Sequence, residues 1–270
     1  PWEDFFNPPK KKRMTKEEFR KLVEDKVAIL DGATGTELTK RGMPAGVCPE
    51  TWCLDHPEAV RAIQQAYVAA GSDIVYVPSF GGNRFKLAEF GLGREVHAVN
   101  AALARISCDG VSGDAAVFGD LAPTGQFIRP YGEIEFETAV EVYREQVAGL
   151  LKGGVDGFVI ETMMDLQEAR AALLAVRESC DLPVMVTMTF ETSGRSLTGN
   201  DPVAALVALQ ALGADAFGCN CSTGPEDMAR IIRQMRPYAE IPLVAKPNAG
   251  LPQFRDGRTV FSMDAAEFGG

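Results

Sequence analysis

The chain has 270 residues, of which 46% are hydrophobic and 24% are charged, and this composition excludes extensive disorder. Its net charge of -10 excludes a protein whose main work is to bind nucleic acid, because phosphate backbones are held by clustered Lys and Arg. No apolar run approaches the ~18 residues of a membrane helix, which argues against a membrane partner.

The N-terminal stretch "PWEDFFNPPKKKRMTKEEF" lacks the order of a signal peptide, and its basic run "KKKR" stands in a short polar leader. Six cysteines are scattered through a chain too long to be a disulfide scaffold, so reduced thiols or metal ligands are expected. Together these features predict a cytoplasmic protein.

Seven short β-branched or apolar runs resemble strands that are buried on both faces. In chain order they are "VAILDG" (27–32), "DIVYVPSF" (73–80), "AAVFGDLAP" (115–123), "DGFVIET" (156–162), "PVMVTMTF" (183–190), "AFGCNC" (216–221) and "PLVAKPN" (242–248). Helical patterns such as "FETAVEVYREQVAGLLKGG" lie between them. Alternating strands and helices predict an α/β domain with a parallel sheet, either open or closed as a (β/α)8 barrel.

No linker or change in composition divides the chain. We therefore predict a leader and N-terminal helix over residues 1–26, followed by one domain over residues 27–270. The loose glycine pattern in "DGATGTEL" does not match a dinucleotide-binding fingerprint, which disfavours a Rossmann fold.

Polar residues follow the carboxyl ends of many different strands, which is how a barrel builds one site from its βα loops. The set is Asp31, Ser79, Asn83, Asp120, Glu161, Asp165, Thr189, Asn220, Cys221, Lys246 and Asn248. Only seven strands are predicted, and the residues after "PLVAKPNAG" are too few for a further helix and strand. The prediction is a (β/α)8 TIM-type barrel that lacks its last helix and strand within these 270 residues.

Seven motifs together resemble one known family. They are "ILDGATGTEL", "SFGGNRFKLAEFGL", "FGDLAPTG", "ETMMDLQEA", "MTFETSGRSLTGNDP", "GCNCSTGPEDM" and "KPNAGLP". Their order is similar to that of the zinc-dependent homocysteine S-methyltransferases, and most similar to the homocysteine-binding domain of cobalamin-dependent methionine synthase. The resemblance implies an enzyme that activates the thiol of homocysteine for methyl transfer to give methionine.

The resemblance implies that Cys221 is a zinc ligand, because it matches the cysteine of the family's Gly-x-Asn-Cys motif. Two further ligands come from an adjacent cysteine pair in the family, and this sequence contains no Cys-Cys pair. Zinc keeps a coordination position open, so that the substrate thiol can bind there as a thiolate. The sequence therefore carries one of the three expected protein ligands.

The resemblance also implies contacts to the amino-acid end of homocysteine. Glu161, with Asp31 as a second candidate, would bind the ammonium, and the backbone at Gly32 and Ala33 would bind the carboxylate. The predicted substrate-binding residues include Ser79, Asp165 and Asn220 as well.

The methyl donor implied by "DGATGTEL" and "GRSLTGNDP" is methylcobalamin, carried on a separate corrinoid domain or protein and supplied from methyltetrahydrofolate. Betaine or S-methylmethionine remain alternative donors, since the donor side lies outside the motifs. A further alternative is an inactive barrel that serves as a docking module for a corrinoid protein. Open barrel edges predict either an intermolecular contact there, such as association with another copy of the chain, or local disorder.

Cys219, Lys246 and the pair Glu161 and Asp165 have further interpretations that do not depend on the resemblance. Cys219 is expected to point to the same face as Cys221, one layer deeper in the core. Lys246, at the end of a strand, occupies the kind of position that Schiff-base lysines take in barrel aldolases. Glu161 and Asp165 are either an acid and base pair or carboxylates that cap and solvate a loop.

Overall fold

The computed structural model describes residues 12–111, 113–250, 252–255 and 258–269. Six parallel strands form a curled sheet in the order β1-β2-β3-β4-β5-β6. The strands are β1 (Ile74–Tyr76), β2 (Ala116–Leu121), β3 (Gly157–Met163), β4 (Val184–Met188), β5 (Ala216–Asn220) and β6 (Leu243–Lys246). Because each strand pairs with the next one in sequence, the sheet is the open arc of a TIM-type barrel, which confirms the predicted fold class.

Helices connect the strands in the alternating order that the sequence predicts. They are α1 (Lys16–Asp25), α2 (Thr34–Lys40), α3 (Pro49–Asp55), α4 (Pro57–Ala69), α5 (Arg84–Ala88), α6 (Val96–Val111), α7 (Phe136–Gly153), α8 (Leu166–Ser179), α9 (Pro202–Ala211), α10 (Pro225–Met235) and α11 (Ala265–Gly269). No helix among the described residues is long and apolar enough to cross a membrane.

The first predicted strand, residues 27–32, is reduced to a single bridge. Leu30 pairs with Ile74 of β1 in parallel, while Val27 and Ile29 are exposed. A strand gains its full ladder only when backbone partners lie along it, and among the described residues this segment has a neighbour on one side alone. The prediction of seven full strands was therefore wrong by this one element.

The segment after β6 forms an element that the sequence analysis did not predict. Residues Pro252–Arg255 (β7) pair antiparallel with Arg258–Phe261 (β8) as a separate two-stranded sheet. The short helix α11 follows them. Neither strand joins the parallel sheet, so β6 keeps an unpaired edge within the described part of the chain.

The two faces of the sheet bury different sets of side chains. Val75 and Val117 belong to the large cluster between the sheet and the outer helices, whereas Tyr76, Ala116 and Phe118 belong to a smaller inner cluster. Since side chains alternate along a strand, this division assigns each strand position to one face.

Helix α1 closes one end of the inner face. A capping box between Thr15 and Glu18 fixes its start, because each side chain accepts a hydrogen bond from the other residue's backbone N–H. Phe19 is 1% exposed, and its ring centroid lies 6.0 Å from that of Phe118. The helix predicted within residues 1–26 thus packs on the barrel, while residues 1–11 lie outside the described chain.

A buried carboxylate anchors the loop that follows β2. Glu168, in the first turn of α8, accepts hydrogen bonds at Oε1 from the backbone N–H of Thr124 (2.7 Å), from its hydroxyl (2.6 Å) and from the hydroxyl of Tyr143 (3.0 Å). Burial raises the pKa of Glu168, although these hydrogen bonds oppose the rise. The loop is therefore tied to both α7 and α8 through one oxygen atom.

We expect Glu168→Ala to lower the free energy of unfolding by about 2 kcal/mol, because it leaves the buried backbone N–H of Thr124 without its acceptor, whereas the Tyr143 hydroxyl keeps the backbone oxygen of Ala122 at 3.1 Å. Glu168→Gln keeps an acceptor and removes the buried charge, so its loss is smaller. A carboxyl whose folded pKa is raised favours folding below its unfolded pKa, and this contribution is lost as the pH rises through the folded value. Denaturant unfolding across that window measures both effects, and equal losses in the two variants would contradict the assignment.

Candidate functional site

The alternation of side chains gives the inner face a charged end. On β2 the buried Ala116 and Phe118 are followed by Asp120, and on β3 the buried Val159 is followed by Glu161. On β6, Val244 is followed by Lys246. Since these residues are two apart along parallel strands, the polar side chains reach the inner face together at the carboxyl ends of the strands.

These side chains line a cavity of about 1430 Å³ inside the curled sheet. Among the residues singled out from the sequence, the cavity wall includes Asp31, Gly32, Ala33, Asp120, Glu161, Asn220, Cys221, Lys246 and Asn248. The residues lining the other end are mostly apolar and include Phe19, Met185 and Val244. The cavity therefore combines an apolar body with a few convergent polar groups, which is typical of small-molecule sites.

Asp31 and Lys246 form an ion pair across the open side of the sheet. Lys246 Nζ lies 3.0 Å from Asp31 Oδ1, and the other oxygen, Oδ2, accepts the backbone N–H of Tyr76 at 2.8 Å. The same Nζ lies 3.9 Å from the centre of the Tyr76 ring. Both carboxylate oxygens of Asp31 therefore have fixed partners in this buried position.

Two further carboxyl groups, Asp120 and Glu161, share this electrostatic environment. Burial raises the pKa of Asp120 well above its ordinary value, and the charge of Glu161 adds to the rise. Asp120 Oδ1 is buried and has no hydrogen-bond partner among the residues that the structure describes. Burial also raises the pKa of Glu161, while Lys246 opposes and Asp31 supports the rise. Asp120 therefore holds its proton more readily than an exposed carboxyl does.

A bulge near the end of β3 sets the position of Glu161. The register with β4 shifts between Ile160 and Met163, and Thr162 takes a left-handed conformation with φ 61°. Asn220 of β5 holds this bulge from the side: its Oδ1 accepts the backbone N–H of Thr162 at 3.0 Å, and its Nδ2 donates to Oγ1 of Thr162 at 2.7 Å. Asn220 thereby fixes the backbone next to Glu161.

Asn220 also contacts the candidate metal ligand, since its Nδ2 lies 3.4 Å from Sγ of Cys221. Burial raises the pKa of Cys221, and the negative charge of Glu161 raises it further. The thiol of Cys221 and the carboxyl of Glu161 thus face the same end of the cavity.

The expectation that Cys219 and Cys221 point to the same face was wrong. Cys219 is 1% exposed and belongs to the outer cluster, whereas Cys221 lines the inner cavity. The regular strand ends at Asn220, and Cys221 takes a left-handed conformation with φ 56°. This backbone change breaks the two-residue alternation and turns the Cys221 thiol inward.

Ser79 and Asp165 are the two predicted substrate-binding residues that the structure does not bring to the cavity wall. The Ser79 hydroxyl donates to the backbone oxygen of Asp120 at 2.8 Å. Asp165 caps α8, where its Oδ1 accepts the backbone N–H of Gln167. Both side chains hydrogen-bond to the protein backbone. Asp165 thus serves as a helix cap, whereas Glu161 lines the cavity.

The turn at Gly32 and Ala33 lies in the cavity wall next to Asp31. A Cβ at position 32 would lie 2.7 Å from the ring of Tyr67, so only glycine allows this contact. The Tyr67 hydroxyl donates to the backbone oxygen of Ala33 at 3.2 Å. Packing against Tyr67 thus fixes the turn.

The environment of Lys246 disfavours the aldolase hypothesis. Burial lowers its pKa, but the carboxylates of Asp31 and Glu161 outweigh this effect, so that the pKa stands above its ordinary value of 10.5. A Schiff-base lysine requires a lowered pKa to be a nucleophile at neutral pH. Lys246 is instead held as an ammonium group.

The described residues do not by themselves make the zinc site that the resemblance implies. Within the described ranges, no group of three or more His, Cys, Asp and Glu side chains is arranged to hold a metal ion. Cys221 offers one sulfur ligand at the cavity, and zinc sites with protein thiolates use three or four ligands.

Sequence analysis missed Tyr76, whose ring lies against the Lys246 ammonium group, and did not assign a role in the site to Asp120. Both lie on the inner face by the two-residue alternation from Ile74 and Phe118. That alternation was available in the sequence, but it identifies a face only after the buried side of each strand is known.

A model of the family described as homocysteine S-methyltransferase matches residues 28–269. Methionine synthase from Mycobacterium leprae (strain TN) is 32% identical over 246 residues, which are 84% of this chain and 20% of that protein. Methionine synthase from Mycobacterium tuberculosis (strain ATCC 25618 / H37Rv) is 32% identical over 250 residues, which are 86% of this chain and 21% of that protein. The chain thus spans about a fifth of the length of these curated relatives.

Solved structures with a similar fold include the homocysteine methyltransferase MmuM from Escherichia coli. Its metallated form has a TM-score of 0.75 at 21% identity and covers 86% of this chain and 87% of that chain. Its oxidized form has a TM-score of 0.76 at 21% identity, with 86% of each chain covered. A likeness at 21% identity shows a similar fold. The family model and the relatives at 32% identity show the family to which the chain belongs. The chain belongs to the homocysteine S-methyltransferase family.

Proposed function

We propose that the chain forms the homocysteine-binding part of a methyltransferase that converts homocysteine to methionine. The observation that carries this proposal is the composition of one cavity end, where the thiol of Cys221 lies with the carboxyl groups of Asp31 and Glu161. Homocysteine carries a thiol at one end and an ammonium group at the other. A site with a sulfur-facing side and an anionic side fits both ends of such a molecule.

The charge balance of the site supports ammonium binding. Asp31 is paired with Lys246, and burial together with the charge of Glu161 raises the pKa of Asp120 well above its ordinary value. Burial also raises the pKa of Glu161, although the charge of Lys246 opposes the rise, so a cation bound beside Glu161 would favour its ionised form. An unpaired buried charge is unfavourable, so a ligand ammonium that neutralises Glu161 gains binding free energy there.

At the sulfur end, the chain contributes Cys221 and the residues that hold it. Methyl transfer forms a bond between the substrate sulfur and the methyl carbon while the bond from that carbon to the donor breaks, and the thiol proton is released. Zinc, when bound by thiolates, supplies the means of keeping a substrate thiol deprotonated. We propose Cys221 as one such ligand, with the remaining thiolates supplied from outside the described residues.

The donor that we propose is methylcobalamin on a separate corrinoid domain or protein, recharged from methyltetrahydrofolate. The motifs "DGATGTEL" and "GRSLTGNDP" and the two relatives named methionine synthase support this choice. Betaine and S-methylmethionine are the alternative donors, and docking of a corrinoid protein without turnover is the non-enzymatic alternative. Assays of methionine formation with each donor in turn separate these cases.

We further propose a cytoplasmic location, where thiols stay reduced, because six cysteines scattered through a chain of this length do not form the dense pattern of a disulfide scaffold. Association between copies through the unpaired edges at β6 and at residues 27–30 stays a prediction.

We expect Glu161→Gln to weaken homocysteine binding by about tenfold to a hundredfold, because the neutral amide removes the charge that pairs with the substrate ammonium. Isothermal titration calorimetry measures the change. Mercaptobutyrate, which is homocysteine without its amino group, is the matched ligand control, and its affinity should not fall in this variant.

Glu37→Gln, on the exposed helix α2, is the protein control and should bind homocysteine as the unchanged protein does. Equal affinity of Glu161→Gln and the unchanged protein for homocysteine would refute the role of Glu161.

We expect Cys221→Ala to abolish zinc binding in a natural version of the protein that includes the additional thiolates. In that version elemental analysis after gel filtration should find one zinc per chain, and the 270-residue chain should retain little. Cys219→Ala is the matched control, because its thiol lies in the outer cluster and its removal should leave the zinc content unchanged. Absence of zinc from every version would mean that Cys221 is a packing residue.

A further inference from the structure

We infer that Lys246 is a positioning residue for ammonium recognition: it holds the Asp31 carboxylate in the cavity without itself binding the substrate. This inference rests on the proposed function. It concerns the ion pair that spans the open side of the sheet, between the last strand and the segment that precedes α2.

The segment that carries Asp31 is only partly paired with the sheet. It has one bridge to β1, at Leu30, and a few backbone hydrogen bonds, of which Asp31 N–H to the backbone oxygen of Ile74 is 3.0 Å long. The side chains of Asp73 and Ser72, just before β1, add one hydrogen bond each to its backbone. Val27 and Ile29, which come before it, are exposed at 84% and 50%. A carboxylate on such a segment needs further contacts to stay in one position.

Lys246 supplies one of these contacts from the opposite edge of the sheet. It is the last residue of β6, whose backbone pairs with β5 in the register Asn220 to Lys246. Its side chain crosses the cavity to Asp31, which lies 215 residues away in the sequence. The rigid strand thus fixes a group on the weakly paired segment.

The Lys246 ammonium is already committed to two partners, the Asp31 carboxylate and the face of the Tyr76 ring. The Tyr76 backbone N–H in turn binds the other oxygen of Asp31. These three residues form a closed arrangement in which the ammonium, the ring and the carboxylate fix one another. As a direct partner of the substrate carboxylate, Lys246 would have to divide the three donors of its ammonium group between that carboxylate and Asp31.

The test compares three ligands across Lys246→Met, Lys246→Arg and the unchanged protein. Homocysteine carries both charged groups, mercaptopropylamine lacks the carboxylate, and mercaptobutyrate lacks the ammonium. Lys246→Met should weaken the two amine-bearing ligands by about tenfold and leave mercaptobutyrate unchanged, and Lys246→Arg should restore most of the loss because it keeps the positive charge.

A double-variant cycle adds an independent readout. If Lys246 acts through Asp31, Lys246→Met should weaken homocysteine binding much less in an Asp31→Asn background than in the unchanged protein. Lys40→Met is the matched control, since Lys40 forms an exposed ion pair with Glu37 outside the cavity. Circular dichroism and thermal unfolding establish that each variant is folded, and Lys246→Arg keeps the test valid if Lys246→Met does not fold.

Several results would overturn the inference. Loss confined to the two carboxylate-bearing ligands would make Lys246 a direct substrate contact, and equal loss for all three ligands would make it a general structural residue. Unchanged or tighter amine binding in Lys246→Met would show that Asp31 does not need it. Failure of the unchanged protein to bind homocysteine would instead refute the proposed function, so the two failures are distinguishable.

Discussion

The structure depends on one geometric constraint, the two-residue alternation of side chains along parallel strands whose carboxyl ends meet. Along β2, β3 and β6 the inner-facing positions are apolar first and polar last, as in Phe118 and Asp120 or Val244 and Lys246. The apolar positions bury the interior against Phe19 of α1. The alternation alone therefore places the polar positions together at one end of the cavity.

Gathering charged groups in a buried place has an electrostatic cost, and the structure lowers it in two ways. Asp31 is paired with Lys246, and burial raises the pKa of both Asp120 and Glu161, which favours their neutral forms. Thr162 and Cys221 both take the left-handed conformation, which sets the directions of the Glu161 carboxyl and the Cys221 thiol. The side chain of Asn220 contacts both residues. Strained backbone of this kind is expected where a site must hold its geometry before the ligand arrives.

The sequence predicted the alternating fold, six of the seven strands and the approximate group of site residues, because buried strand runs and polar strand ends are local signals. It did not predict the face of Cys221, since the left-handed conformation that turns the thiol inward has no local signal in "GCNC". The weak pairing of residues 27–32 also escaped, because strand formation depends on distant partners. The sequence "FRDGRTV" contains Asp-Gly, which is a local signal of a β-hairpin, so β7 and β8 could have been predicted from it.

A crystal structure of the protein with bound homocysteine would show whether one end of this cavity holds both ends of the molecule. We expect the ammonium group within hydrogen-bonding distance of Glu161 or Asp31 and the sulfur on the side of Cys221. Homocysteine bound in the reverse orientation, or outside the cavity, would refute this mode of binding even though the chain belongs to this family.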